Sequence, residues 1–146
     1  MTRDYPVSPQ MIESEDGIVW SYDNAQVTAP FDNTHPVPVT ASKCTDKAIC
    51  LWYVSPVWQF NDQTYTKYAL LGEYNKWTAI SGQRFLSITT NTEKTQATVL
   101  IQGVPSEMVT VLVYHSTLQI LPVNCNMSAI DGQANLVITP QNVMCS

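Results

Sequence analysis

"TQATVLIQGVPSEMVTVLVYHS", residues 95–116, carries the alternation that decides the fold. In its first half Ala97, Val99 and Ile101 fall on one side of an extended chain, with Gln96, Thr98 and Gln102 on the other, the pattern of a half-buried strand. In its second half Val109, Val111 and Val113 share one side and Thr110, Leu112 and Tyr114 the opposite side. Apolar residues on both sides mark that strand as central, covered on both faces. Val104-Pro105-Ser106 joins the two as a short turn in which Pro presets φ.

The same period of two recurs outward in both directions. Upstream lie "GIVWSY" (17–22), "AQVTA" (25–29), "VPVTAS" (37–42), 48–54, "TYTKYALL" (64–71), "WTAIS" (77–81) and "RFLSITT" (84–90). Downstream lie "TLQILPV" (117–123) and "ANLVIT" (134–139), the latter following the turn dipeptide Asp131-Gly132 and stopped by Pro140. Asn91 to Lys94 reads as a hairpin loop. No stretch has a helical apolar period, and the chain is rich in Thr, Val, Ile and aromatics, which suit a pleated surface. About ten short strands predict an all-β fold, an antiparallel β-sandwich of Ig-like or jelly-roll-like type. Two packed sheets are expected because one open sheet would leave an apolar face in water. Residues 1–146 read as a single β-sandwich domain, with 1–16 an irregular N-terminal segment and 30–36 an irregular crossing.

Composition narrows the partners. The 146 residues are 45% hydrophobic but only 13% charged, and the net charge is −5. Thr, Ser, Asn and Gln must therefore make up much of the surface. Seven scattered Lys and Arg give no cluster able to displace counterions from nucleic acid or to hold anionic lipid. No apolar run reaches the roughly 18 residues of a membrane-spanning helix. The start, "MTRDYPVSPQM", has no apolar leader core. That leaves a cytosolic protein, or a mature or excised domain with an added Met1.

The cysteines favour the second. Cys44, Cys50, Cys125 and Cys145 are even in number and suit two disulfides, although three connectivities are possible. Cys44–Cys50 would bridge a hairpin with Asp46 and Lys47 at its tip, and Cys125–Cys145 would tie the last strand or tail to its neighbour. Free buried thiols are the competing state; the spacings do not match structural zinc. Asn126-Met127-Ser128 is an N-glycosylation sequon beside Cys125, and it too points to a secreted, extracellular glycoprotein.

Signals for catalysis are sparse. His35 lies in a Pro-bounded loop, His115 reads as a partly covered strand-end residue, and no nucleophile elbow is present. A carboxylate pair could serve glycoside hydrolysis, and Glu73, flanked by rings in "LLGEYNKW", is the acid of most interest. Five glycines make no phosphate loop, and no metal or other cofactor is expected. A structural calcium at "DGIVWSYDN" (16–24) is a minor alternative.

Aromatic residues near loop edges remain. Four Trp, seven Tyr and three Phe are present, and in "AICLWYVSPVWQF" (48–60) Trp52 reads as core while Trp58 falls where strand becomes loop. Trp58, Asp62, Tyr65, Glu73, Tyr74 and Trp77 form the candidate ligand-binding set, with Gln59, Asn61 and Asn75 nearby. An aromatic face attracts the slightly positive C–H hydrogens of a pyranose, and neighbouring amides and carboxylates fix its hydroxyls. In general make-up the chain resembles accessory β-sandwich modules attached to secreted polysaccharide-acting enzymes. That likeness implies a non-catalytic extracellular module with a glycan as partner and a neighbouring domain of a longer chain beside it. The alternatives are an adhesion domain that sets the same rings against a protein surface, and a small hydrolase.

Overall fold

β-Branched and aromatic residues in alternation keep the chain extended throughout the computed structural model, which describes residues 17–21, 27–31, 52–117 and 119–146. Among these residues there is no helix. The chain divides into two compact units, Met1–Trp58 and Gln59–Ser146.

In the first unit, β1 (Gly17–Ser21), β2 (Val27–Phe31) and β3 (Trp52–Pro56) form an antiparallel sheet in the order β2-β1-β3. Ile18 on the middle strand is buried, opposite Pro30 on one side and Ser55 on the other. The strand expected to be central at 48–54 is thus an edge strand of the described sheet. Pro56 closes it, and a residue with no N–H to give a ladder belongs at an edge. The predicted strand at 37–42 and the predicted Cys44–Cys50 bridge lie outside the described residues.

The remaining strands are β4 (Trp58–Gln59), β5 (Lys67–Glu73), β6 (Phe85–Thr90), β7 (Ala97–Gln102), β8 (Met108–His115), β9 (Gln119–Asn126), β10 (Gln133–Ile138) and β11 (Val143–Cys145). They form two four-stranded antiparallel sheets, β4-β5-β8-β9 and β11-β10-β7-β6, which make a β-sandwich. Alternation sets the core: Ala97, Val99 and Ile101 of β7 and Ala134, Leu136 and Ile138 of β10 are buried, as are Val109, Val111 and Val113 of β8. β8 is a central strand, as its sequence implies, and Leu112 on its other face is buried as well. β5 is buried from Tyr68 to Gly72, and the Tyr68 ring stacks on Phe60 with centroids 4.3 Å apart.

Hairpins alternate between the sheets. β4–β5, β6–β7, β8–β9 and β10–β11 each stay within one sheet, whereas β5 to β6, β7 to β8 and β9 to β10 cross over. Antiparallel pairing then places all hairpin loops at one end of the sandwich and all three crossovers at the other. Backbone bonds knit each end: Asn61 N–H to the Lys94 carbonyl and Ser116 N–H to the Lys67 carbonyl at the hairpin end, Gly103 N–H to the Gly132 carbonyl and Met127 N–H to the Glu107 carbonyl at the crossover end.

Several strand boundaries differ from the sequence reading. β2 runs from Val27 to Phe31, two residues into the stretch read as an irregular crossing, and β9 continues past 123 to Asn126. β5 begins at Lys67 rather than 64, because the preceding residues form a turn around Asp62. Residues 77–81 are not a strand: Glu73 N–H bonds the Ala79 carbonyl at 2.7 Å, folding 74–80 back on the end of β5. This return needs Gly72, whose φ is +105° and whose added Cβ would run into the Ala79 backbone. Around Pro140 the chain turns between Thr139 and Asn142, whose carbonyl accepts the Thr139 N–H at 2.8 Å, and comes back as β11, a strand its three-residue length hid.

Cys125 of β9 and Cys145 of β11 form a disulfide. These are edge strands of opposite sheets, so the bridge staples one side of the sandwich. It spans 20 residues of sequence, and such a loop closure is worth about 3 kcal/mol. The double variant Cys125→Ser/Cys145→Ser is expected to lower unfolding stability by about that amount in denaturant titration, with its far-ultraviolet β spectrum kept; an unchanged midpoint would show that the staple adds nothing.

Candidate functional site

The six predicted ligand residues fall into two groups. β5 runs from one end of the sandwich to the other, and a strand of its length spans about 20 Å. Trp58, Asp62 and Tyr65 belong to the hairpin end, while Glu73, Tyr74 and Trp77 belong to the crossover end. They cannot touch one small ligand together.

At the hairpin end the Asp62 carboxylate is occupied by its own loop. Oδ1 accepts Thr66 N–H at 2.7 Å, and Oδ2 accepts the Thr66 hydroxyl at 2.8 Å and that of Thr64. These bonds favour the ionised form, the Thr64 hydroxyl most of all, and hold its pKa down to about 2. Asp62 is the pin of a turn in which Tyr65 takes a positive φ of 51°. Tyr65 is exposed there and Trp58 is half-buried.

At the crossover end an open cleft of about 590 Å³ is lined by Glu73, Lys76, Trp77, Thr78, Ser81, Gln83, Arg84, Gln102, Gly103, Val104 and Glu107. Its floor is built on Arg84, which sits just before β6. Nε donates to Glu73 Oε2 at 3.0 Å. Nη1 donates to Glu107 Oε2 at 2.9 Å and to the Gln102 carbonyl at 3.0 Å, and Nη2 to Glu107 Oε1 at 3.0 Å. Glu107 is thus held in the two-pronged geometry that makes an arginine–carboxylate pair strong, and Val104 N–H adds a third bond at 2.9 Å. Lys76 approaches Glu73 at 3.9 Å. Gly103 lies beneath this pair: a Cβ there would press on Glu107 Oε2, Arg84 Nη1 and Met127 Cγ. The Gln102 side chain carries the tie onward, donating to the Asp131 carbonyl at 3.0 Å.

Trp77 is 72% exposed and Tyr74 is 53% exposed. Trp77 forms part of the cleft wall, and Tyr74, which does not line the cleft, donates its N–H to the Thr110 carbonyl at 2.8 Å. An aromatic wall over a floor of carboxylate, guanidinium and amide groups can hold a ligand with one apolar face and several hydroxyls.

The same floor is poorly suited to acid–base work. A general acid in glycoside hydrolysis needs a raised pKa, whereas the Arg84 bonds, then the Val104 N–H, hold Glu107 below the ordinary glutamate value. His115 is fully buried rather than partly covered as expected. Its Nε2 faces the Thr139 carbonyl at 3.0 Å and so carries the hydrogen, and Nδ1 faces the Thr117 hydroxyl at 2.9 Å. It links β8 to the β10–β11 turn at the hairpin end, away from the cleft. His35 lies outside the described residues, as do Asp16 and residues 22–24 of the calcium candidate. Among the described residues no group of three metal-ligating side chains comes together. Asn126 is exposed at the end of β9.

Arg84, Glu107, Gln102, Lys76 and Gln83 were not singled out in the sequence. Glu73, Arg84 and Glu107 are far apart along the chain and meet only through the crossovers, so no local spacing announces them. No protein-family model matches the chain, and no curated protein or solved structure matches it.

Because pairing depresses the Glu107 pKa, its contribution is complete at neutral pH and fades as the pH falls below the free glutamate value of about 4.3. Arg84→Met removes the cation and leaves two carboxylates facing each other, which is expected to cost about 2 kcal/mol at pH 7. The gap to wild type should narrow as the pH drops from about 5 to 3 and Glu107 protonates. Chemical denaturation across that range checks this; a gap that does not depend on pH would mean the three groups are not coupled. Asp62→Asn should remove wild-type stability that is otherwise lost between about pH 4 and pH 2.

Proposed function

We propose that this chain is a non-catalytic extracellular module that binds carbohydrate in the crossover-end cleft, and that it serves as an accessory domain of a larger secreted polysaccharide-acting enzyme. The observation that carries the reading is Trp77, largely exposed on the wall of a cleft that is otherwise lined mainly by polar side chains, with Val104 the apolar exception. A sugar ring stacks on Trp77, and its hydroxyls bond Glu73, Gln83 and Lys76. The Cys125–Cys145 disulfide supports an oxidising compartment, and the exposed Asn126 suits a glycosylated surface. Tyr65, Trp58 and Asp62, at the far end of β5, are then outside this site.

A second reading has its own support. Val104, Met108 and Ile130 are also exposed, Ile130 by 94%, and all belong to the crossover end. Apolar loop tips of this kind suit a protein surface, so adhesion is the rival function.

A glycan array read by binding of labelled protein, followed by tryptophan fluorescence titration, tests the choice. Wild type should show saturable binding to a sugar, and Trp77→Ala should weaken it by at least about tenfold, the loss of roughly one stacking contact. Tyr65→Ala should bind as wild type does. Capture of a protein partner that is indifferent to competing sugars and lost on Ile130→Asp would support adhesion instead.

A further inference from the structure

We infer that the cleft selects neutral sugars over uronate or sulfated ones, and that Glu107, with Glu73, sets this choice by occupying Arg84. This rests on the carbohydrate reading above. Two cations line the cleft, Lys76 and Arg84, and two carboxylates, Glu73 and Glu107, so the lining is formally neutral. The strongest recognition of an anionic sugar comes from a guanidinium that can offer its paired N–H groups to the acid. The paired donors of Arg84 are already turned onto Glu107, while Nε is on Glu73 and Nη1 also serves the Gln102 carbonyl. A uronate could reach them only by displacing Glu107, leaving a partly covered carboxylate beside a second acid. Lys76, with 58% of its side chain exposed and Glu73 at 3.9 Å, is a weak substitute in high dielectric.

Neutral hydroxyls meet the opposite situation. Carboxylate oxygens accept from O–H groups without displacing any cation, and Gln83, Ser81 and Thr78, which also line the cleft, carry groups that both donate and accept. The net charge of −5 adds a repulsive field toward polyanions at low salt.

The test uses matched pairs: neutral oligosaccharides and the same oligosaccharides with C6 oxidised to the carboxylate, titrated calorimetrically against wild type, Trp77→Ala and Glu107→Gln. Wild type should bind the neutral member at least about tenfold more tightly, with an affinity that stays level from low to high salt. Glu107→Gln, which unpairs the guanidinium while keeping an acceptor for Val104 N–H, should shrink that preference by about tenfold. Wild-type binding of the uronate as tightly as the neutral sugar, in a Trp77-dependent manner, overturns this inference and leaves the carbohydrate reading standing. An unchanged preference in folded Glu107→Gln overturns the role given to Glu107. Failure of every sugar to bind in a Trp77-dependent manner overturns the carbohydrate reading and this inference with it. Should Glu107→Gln not fold, the wild-type preference and its salt dependence decide the matter alone.

Discussion

A guanidinium held by two carboxylates and a backbone carbonyl organises the crossover end of the sandwich. Glu73 closes β5, Arg84 opens β6, Gln102 ends β7 and Glu107 precedes β8. One side chain therefore joins the ends of four strands drawn from both sheets. Isolated surface ion pairs contribute little because water screens them and long side chains lose freedom. Here the side chain of Arg84 is only 18% exposed, and its bonds are divided among partners fixed by strand ends. The arrangement gives up little additional entropy, since the strands already fix where each partner stands. Gly103 and Gly72 are consequences of the same constraint: one leaves room beneath the ion pair, the other lets 74–80 return over the strand.

At the side of the sandwich a covalent bond takes up the corresponding task. β9 and β11 are outer strands, and β11 is short. A three-residue strand gains little from its ladder, and the Cys125–Cys145 bridge holds it. Pro122 within β9 fits an outer strand, where its missing N–H costs no interior ladder bond. The described strands thus rely on apolar alternation for their interior, on a disulfide at one margin and on the Arg84 guanidinium at one end. This accords with a chain in which charged residues are scarce.

The alternation in residues 95–116 was enough to read the sandwich, because β7 and β8 alternate under opposite conditions, one half-covered and one enclosed. Boundaries were less legible where side chains overrode pattern. "TYTKYALL" alternates well, but Asp62 captures Thr64 and Thr66 and delays the strand until Lys67. "WTAIS" also alternates, yet a single backbone bond to Ala79 makes it a return loop. In the candidate site, the exposure of Trp77 and Tyr74 followed from their place after Gly72. Their separation from Asp62 and Tyr65 did not, since it depends on which end of β5 each loop occupies. The ionic floor was hidden most deeply, because its members are brought together only by crossovers between sheets.

The division of turning between the two ends has a consequence for how such a chain can vary. Short hairpins fix the register of each strand pair, and inserting a residue there would slide apolar side chains to the wrong face. The crossovers carry no register, and lengthening a loop costs entropy that grows only slowly with its length. Sequence drift, or a library of randomised segments that keeps Gly72, Arg84, Gly103 and Glu107, can therefore remake the rim around Trp77, Val104 and Ile130 while the scaffold beneath stays put.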